Sequence, residues 1–105
     1  MDLAAFRASL RNPAPPEGLG LAAQALWWDA WGDWDKAHRC AQAQDDKSGA
    51  WVHAYLHRKE GDTQNAEYWY HRAGKSAGSM SLDAEWTEIV RVILKGANRA
   101  TRSPA

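Results

Sequence analysis

Two Gly-Asp pairs, Gly32-Asp33 and Gly61-Asp62, stand 29 residues apart and constrain this chain more than any other feature. Glycine accepts the left-handed backbone that closes a helix, and aspartate caps the start of the next one. The match extends past the pairs. Gly32-Asp33-Trp34-Asp35-Lys36-Ala37 aligns with Gly61-Asp62-Thr63-Gln64-Asn65-Ala66, and upstream Ala25-Leu26 aligns with Ala54-Tyr55. Ala37 and Ala66 are small enough to let two helices approach closely. Each unit therefore reads as a helix, a sharp turn and a second helix, and the two units predict two helical hairpins.

The rest of the chain also reads as helix, and the 105 residues suit one domain. A short N-terminal helix is expected within 2–11, with Asp2 as cap and Leu3, Phe6 and Leu10 on one face. Pro13, Pro15 and Pro16 make 12–18 a stiff connector. The hairpins occupy 19–74. Leu19 to Trp31, apolar nearly all round, is the expected centre of the domain. A helix from Asp33 to Gln44 follows, then one from Gly49 to Glu60 capped by Ser48, then Thr63 to Gly74. After a flexible linker at 75–81, a last helix runs from Leu82 to about Asn98 and acts as a cap. Its stripe is Leu82, Trp86, Ile89, Val90, Ile93, Leu94 and Ala97, and the tail at 99–105 is expected to fray. No stretch alternates with period two. The expected fold is all-α, with five or six helices.

The turn sequences resemble those of tetratricopeptide repeats, in which a Gly-Asp-aromatic-acid-x-Ala run joins the two helices of a unit. The resemblance covers roughly Leu21 to Ala73, and Tyr70 and Ala73 fall where that family places an aromatic and a small residue. Ala66-Glu67-Tyr68-Trp69-Tyr70-His71-Arg72-Ala73 also resembles Sel1-like repeats. Gly49 to Ala73 resembles a group of small uncharacterised microbial proteins, from which no function is carried over. The resemblance implies a non-catalytic interaction module that binds a peptide or protein partner.

Charge and cysteine content narrow the functional classes. Thirteen basic residues balance thirteen acidic ones, which argues against a dedicated nucleic-acid binder. Near-zero net charge offers little resistance to self-association, so a homodimer through the tryptophans of the second helix is a candidate. Cys40 is the only cysteine, so neither an internal disulfide nor a cysteine-rich zinc site can form. Beside His38 and Arg39 its thiol could be activated, although an inert helix residue is the commoner case. Asp2, Arg7 and Arg11 break any signal-peptide pattern, and no apolar run is long enough to cross a bilayer. A cytoplasmic protein with no membrane association is expected.

No phosphate-binding glycine loop, nucleophile elbow or pair of catalytic carboxylates is present, so no catalytic residue and no cofactor is assigned. The alternative to an interaction module is a small ligand- or metal-binding protein, or an enzyme, built on His53 and His57. Four residues apart on one helix, both rings face the same way, a spacing that can hold a metal. Glu60, His71, His38 and Asp62 are possible further ligands. In the repeat alignment both histidines fall in slots that are usually apolar, where a polar side chain needs partners. Histidines there most often satisfy themselves by hydrogen bonds, so they are weak metal candidates. Seven tryptophans and three tyrosines fill the core or line a groove. A groove would draw on Trp28, Tyr55, Trp69 and Tyr70, with Arg58 beside them for an anionic group.

Overall fold

Both Gly-Asp pairs build the same junction. Gly32 has φ +110° and Gly61 φ +90°, and each closes its helix in the left-handed conformation. The following aspartate sends its amide N–H back to a carbonyl five residues earlier, Asp33 to Trp28 and Asp62 to His57, each at 2.9 Å. The same aspartate's carboxylate then caps the next helix, Asp33 accepting from the Lys36 amide at 2.9 Å and Asp62 from the Asn65 amide at 3.2 Å. Orphan groups of both helix ends are thus satisfied within three residues.

The computed structural model describes residues 1–76 and 80–102, with side chains as far as Gly96. The described residues form six helices and no strand: α1 Leu3–Ser9, α2 Leu21–Trp31, α3 Trp34–Ala43, α4 Lys47–Glu60, α5 Thr63–Ala73 and α6 Leu82–Arg102. The all-α expectation holds. Of the expected linker, 77–79 lie outside the described residues, as do 103–105 of the tail.

Helix α2 packs along α3 and α4 along α5, and α4 also meets α2, α3 and α6. Four sequence expectations need correction. The centre of the domain is α4, not α2: Gly49 through His57 are all buried, whereas Leu21 and Trp31 on α2 are exposed. The cap of α4 is Asp46, whose carboxylate accepts from the Gly49 amide at 2.8 Å, so the helix begins before Ser48. The start of α2 is Leu21, after Gly20, and it borrows its cap from the next connection: the Gln44 side-chain oxygen accepts from the Ala22 amide at 2.7 Å. At the far end, α6 runs through Arg102 rather than stopping near Asn98.

The α6 stripe lies over α2 and α4, with Trp86, Ile89, Val90 and Leu94 buried. Its Trp86 indole donates to the Leu26 carbonyl at 3.0 Å. Glu85, only 2% exposed, accepts from the Trp51 indole, the Arg58 guanidinium and the Tyr70 hydroxyl. Helix α1 closes the same end, placing Phe6 against Trp86 and Ser9 under the Trp27 indole.

Candidate histidine site

Helix α4 is a cylinder with two polar sides, and its periodicity separates them. His53 and Tyr55 diverge by about 200°. Tyr55, Arg58 and Trp51 turn toward α2 and α6. There Tyr55 donates to Asp29 at 3.2 Å, and Arg58 reaches Glu85 at 2.7 Å and the Met80 carbonyl at 2.7 Å. Burial, followed by the charge of Asp29, pushes the Tyr55 hydroxyl pKa upward. Tyr70 joins this group through Glu85 at 2.6 Å. Three of the residues expected in a groove, Tyr55, Tyr70 and Arg58, therefore belong to interior polar networks beneath α6.

His53 and His57 turn the other way, toward α3 and α5. His38 meets them from α3, where Trp34, His38 and Ala41 recur at helical spacing and face α4. His38 Nε2 lies 2.9 Å from His53 Nε2. The ring centres of His53 and His57 are 4.8 Å apart, and those of His38 and His57 are 5.2 Å apart. One nitrogen from each of the three lies within 4.8 Å of the other two.

Each ring has its own support. Trp69 stacks on His53 with centroids 4.0 Å apart, and Trp34 stacks on His38 at 4.9 Å. Trp34 is itself anchored, its indole donating to the Leu56 carbonyl at 3.1 Å. His57 Nδ1 is bonded to the Glu60 carboxylate at 2.6 Å, which orients that ring and fixes which nitrogen remains free. His57, Glu60 and Asp62 form a second group of potential ligand atoms that shares His57.

Electrostatically His38 and His53 favour the neutral imidazole. Burial, then the neighbouring His38 and His57, lowers the His53 pKa to about 4. Burial also lowers that of His38, with His57 acting in the same direction and Glu60 and Asp35 opposing. One atom has no partner: His53 Nδ1 is buried and makes no hydrogen bond. His53 and Trp69 border a cavity of about 470 Å³, with Gln42, Asp46 and Arg72 on its other walls.

The remaining expected residues lie elsewhere. Trp28 sits in the α2 tryptophan cluster under the Lys36 ammonium, 4.2 Å from its ring centre, and His71 is exposed on α5. Cys40 is half-buried with its thiol pKa raised by burial, the reverse of activation. Sequence reasoning left Trp34 out of the site and named His38 only as one of several possible ligands. The i, i+4 spacing of these two residues is the signal that places both against α4.

No protein-family model, curated protein or solved structure matches this chain. Among the described residues, no helix is long and apolar enough to cross a membrane.

Proposed function

We propose that this chain is a small-ligand-binding protein whose working part is the His38–His53–His57 cluster and the cavity beside it. The observation that carries this reading is the convergence of three imidazoles from two helices next to a space bordered by His53 and Trp69. Packing alone does not call for them. Apolar side chains would fill the α3–α4 contact, and a buried nitrogen without a partner costs about 1–3 kcal/mol. The cavity falls within the roughly 300–1,000 Å³ usual for ligand sites, and its lining is mostly polar and charged, which suits a small polar ligand.

Side-chain NMR tests the reading. Small carboxylates, phosphate and heteroaromatic compounds, added at millimolar concentration to the full chain, are expected to move the ring signals of His53 and Trp69 first. Ring signals that stay still across the whole set would remove the small-ligand assignment.

A second reading keeps the tetratricopeptide-like resemblance, with the two hairpins presented to a peptide or protein partner. It is favoured by two large aromatics near half exposure, Trp31 at 49% and Tyr68 at 54%. Because α6 covers α2 and α4, the surface in use is an outer one. Trp31→Ala separates the readings: it abolishes capture of a partner under the second and leaves the His53 and Trp69 shifts intact under the first.

A further inference from the structure

His38 and His53 point Nε2 at Nε2 across 2.9 Å, and two neutral imidazoles can hold that contact only by sharing one proton between two lone pairs. His57 stands beside them, its Nδ1 committed to Glu60 and its other nitrogen unassigned. We propose that His38, His53 and His57 are the ligands of a divalent transition-metal ion of the zinc class, with Glu60 as the positioning residue for His57. The inference rests on the small-ligand reading above and names the ligand.

The donor set selects the class of ion. Three imidazoles without a ligating carboxylate suit zinc, copper, nickel or cobalt, whereas magnesium and calcium require oxygen donors. In a tetrahedral site with metal–nitrogen bonds of about 2.0–2.1 Å, ligand nitrogens lie roughly 3.3 Å apart. The His38–His53 pair is a few tenths of an ångström tighter than that and opens by a small rotation. The third nitrogen lies within 4.8 Å and needs to close by a similar kind of motion. A metal takes the place of the shared proton, which moves to Nδ1 of the ring that carried it, and uses both Nε2 lone pairs at once.

Supporting contacts of the expected kind are already in place. Metal-bound histidines commonly donate their second nitrogen to a carboxylate, which fixes tautomer and orientation, and the His57–Glu60 contact has that form. Trp69 and Trp34 brace the other two rings. Three protein ligands leave one tetrahedral position for water.

The experiment is a metal titration of the full chain after chelator treatment. Calorimetry with Zn²⁺ is expected to give one ion per chain, and Mg²⁺ no heat. Co²⁺ is expected to give the intense visible bands of a tetrahedral nitrogen site, and Cu²⁺ to quench the emission of Trp34 and Trp69. His53→Gln and, independently, His38→Gln should each weaken Zn²⁺ binding by at least about tenfold with helical circular dichroism retained. Glu60→Gln should weaken it by roughly 10–100-fold. His38 is only half-buried, so its variant serves if His53→Gln does not fold. Folded protein that takes up neither Zn²⁺ nor Co²⁺ overturns the proposal. So does Zn²⁺ binding left unchanged by the His38 variant, since that would place the ion at the His57, Glu60 and Asp62 group or at His71. If the metals fail while small molecules still move the Trp69 signals, the small-ligand reading survives without the metal; if both fail, both fall.

Discussion

His38 and His53 are joined through their Nε2 atoms at 2.9 Å although α3 and α4 carry them on separate helices. Burial of His53, followed by the charge of His38 and His57, fixes the sign of a pH effect in the metal-free protein. The folded His53 has its pKa lowered to about 4, against an ordinary value of 6.5, so the unfolded chain binds more protons between those limits. Stability is then fully present above about pH 6.5 and is lost as pH falls toward 4. His38 and His57 face His53 and add repulsion once charged, while Glu60 opposes them. Urea midpoints at pH 7.5 and pH 4.5 should differ in chelator-treated protein, and the gap should narrow in His53→Gln. An equal gap in that variant would assign the acid sensitivity to other groups.

Glu85 makes a larger contribution than its place near the start of α6 suggests. It is 2% exposed and satisfies Trp51, Arg58 and Tyr70 together. Removing the carboxylate leaves a cation and two donors without their acceptor. Glu85→Ala is expected to cost about 3 kcal/mol in urea unfolding, and Glu85→Gln less, since the amide oxygen still accepts. A loss below about 1 kcal/mol for the alanine variant would mean that water replaces the carboxylate without penalty.

The hairpin junctions were legible because their chemistry is local. Gly32 and Gly61 must supply positive φ and Asp33 and Asp62 must cap, and two residues decide each outcome. The identity of the central helix was not legible. The pattern of α2 is apolar, whereas α4 carries His53, Tyr55 and His57 at buried positions, so apolarity ranks them in the wrong order. What allows those polar groups to be buried is pairing: Glu60 meets His57 one turn along the same helix, but Asp29 meets Tyr55 and His38 meets His53 only after folding. The separation of His53 from Tyr55 to opposite sides of α4 does follow from helical periodicity. The distant cap from Gln44 to Ala22 has no sequence signal at all.

The first junction offers a direct test of capping. Asp33 accepts from the Lys36 amide at 2.9 Å, and no other acceptor is bonded to that donor. Asp33→Ala should lower stability by about 0.5–2 kcal/mol, and Asp33→Asn or Asp33→Ser should recover most of it. Equal losses in all three variants would point to the charge rather than the cap.

Gly49 presents a steric test at the centre of the fold. A Cβ on this residue would run into the Gln44 backbone carbonyl, at the turn where α3 hands over to α4. Gly49→Ala ordinarily gains helix propensity, but here the turn must move, and overpacking of this kind costs about 1–3 kcal/mol. Because the same turn carries the Gln44 side chain that caps α2, the displacement should also loosen the Ala22 amide. Hydrogen exchange is the measurement: faster exchange at Ala22 in the variant is expected together with a lower unfolding midpoint. Unchanged exchange at Ala22 with a normal midpoint would show that the turn has room to yield.

The short α1 is the last element to test, because seven residues with one buried side chain look expendable. Phe6 is fully buried, 5.8 Å from Trp86 between ring centres, and Ser9 accepts from the Trp27 indole at 3.0 Å. Arg7 also bonds to Thr87 on α6 at 2.8 Å. α1 therefore packs over Trp27 and Trp86, while Trp31 stays exposed. Phe6→Ala should cost about 3–5 kcal/mol, the usual range for emptying a buried aromatic site. It should also shift tryptophan emission to longer wavelength and raise the sedimentation coefficient with protein concentration, as Trp27 and Trp86 become available for pairing. A loss below about 1 kcal/mol with unchanged emission would mean that α1 rests on the core without belonging to it.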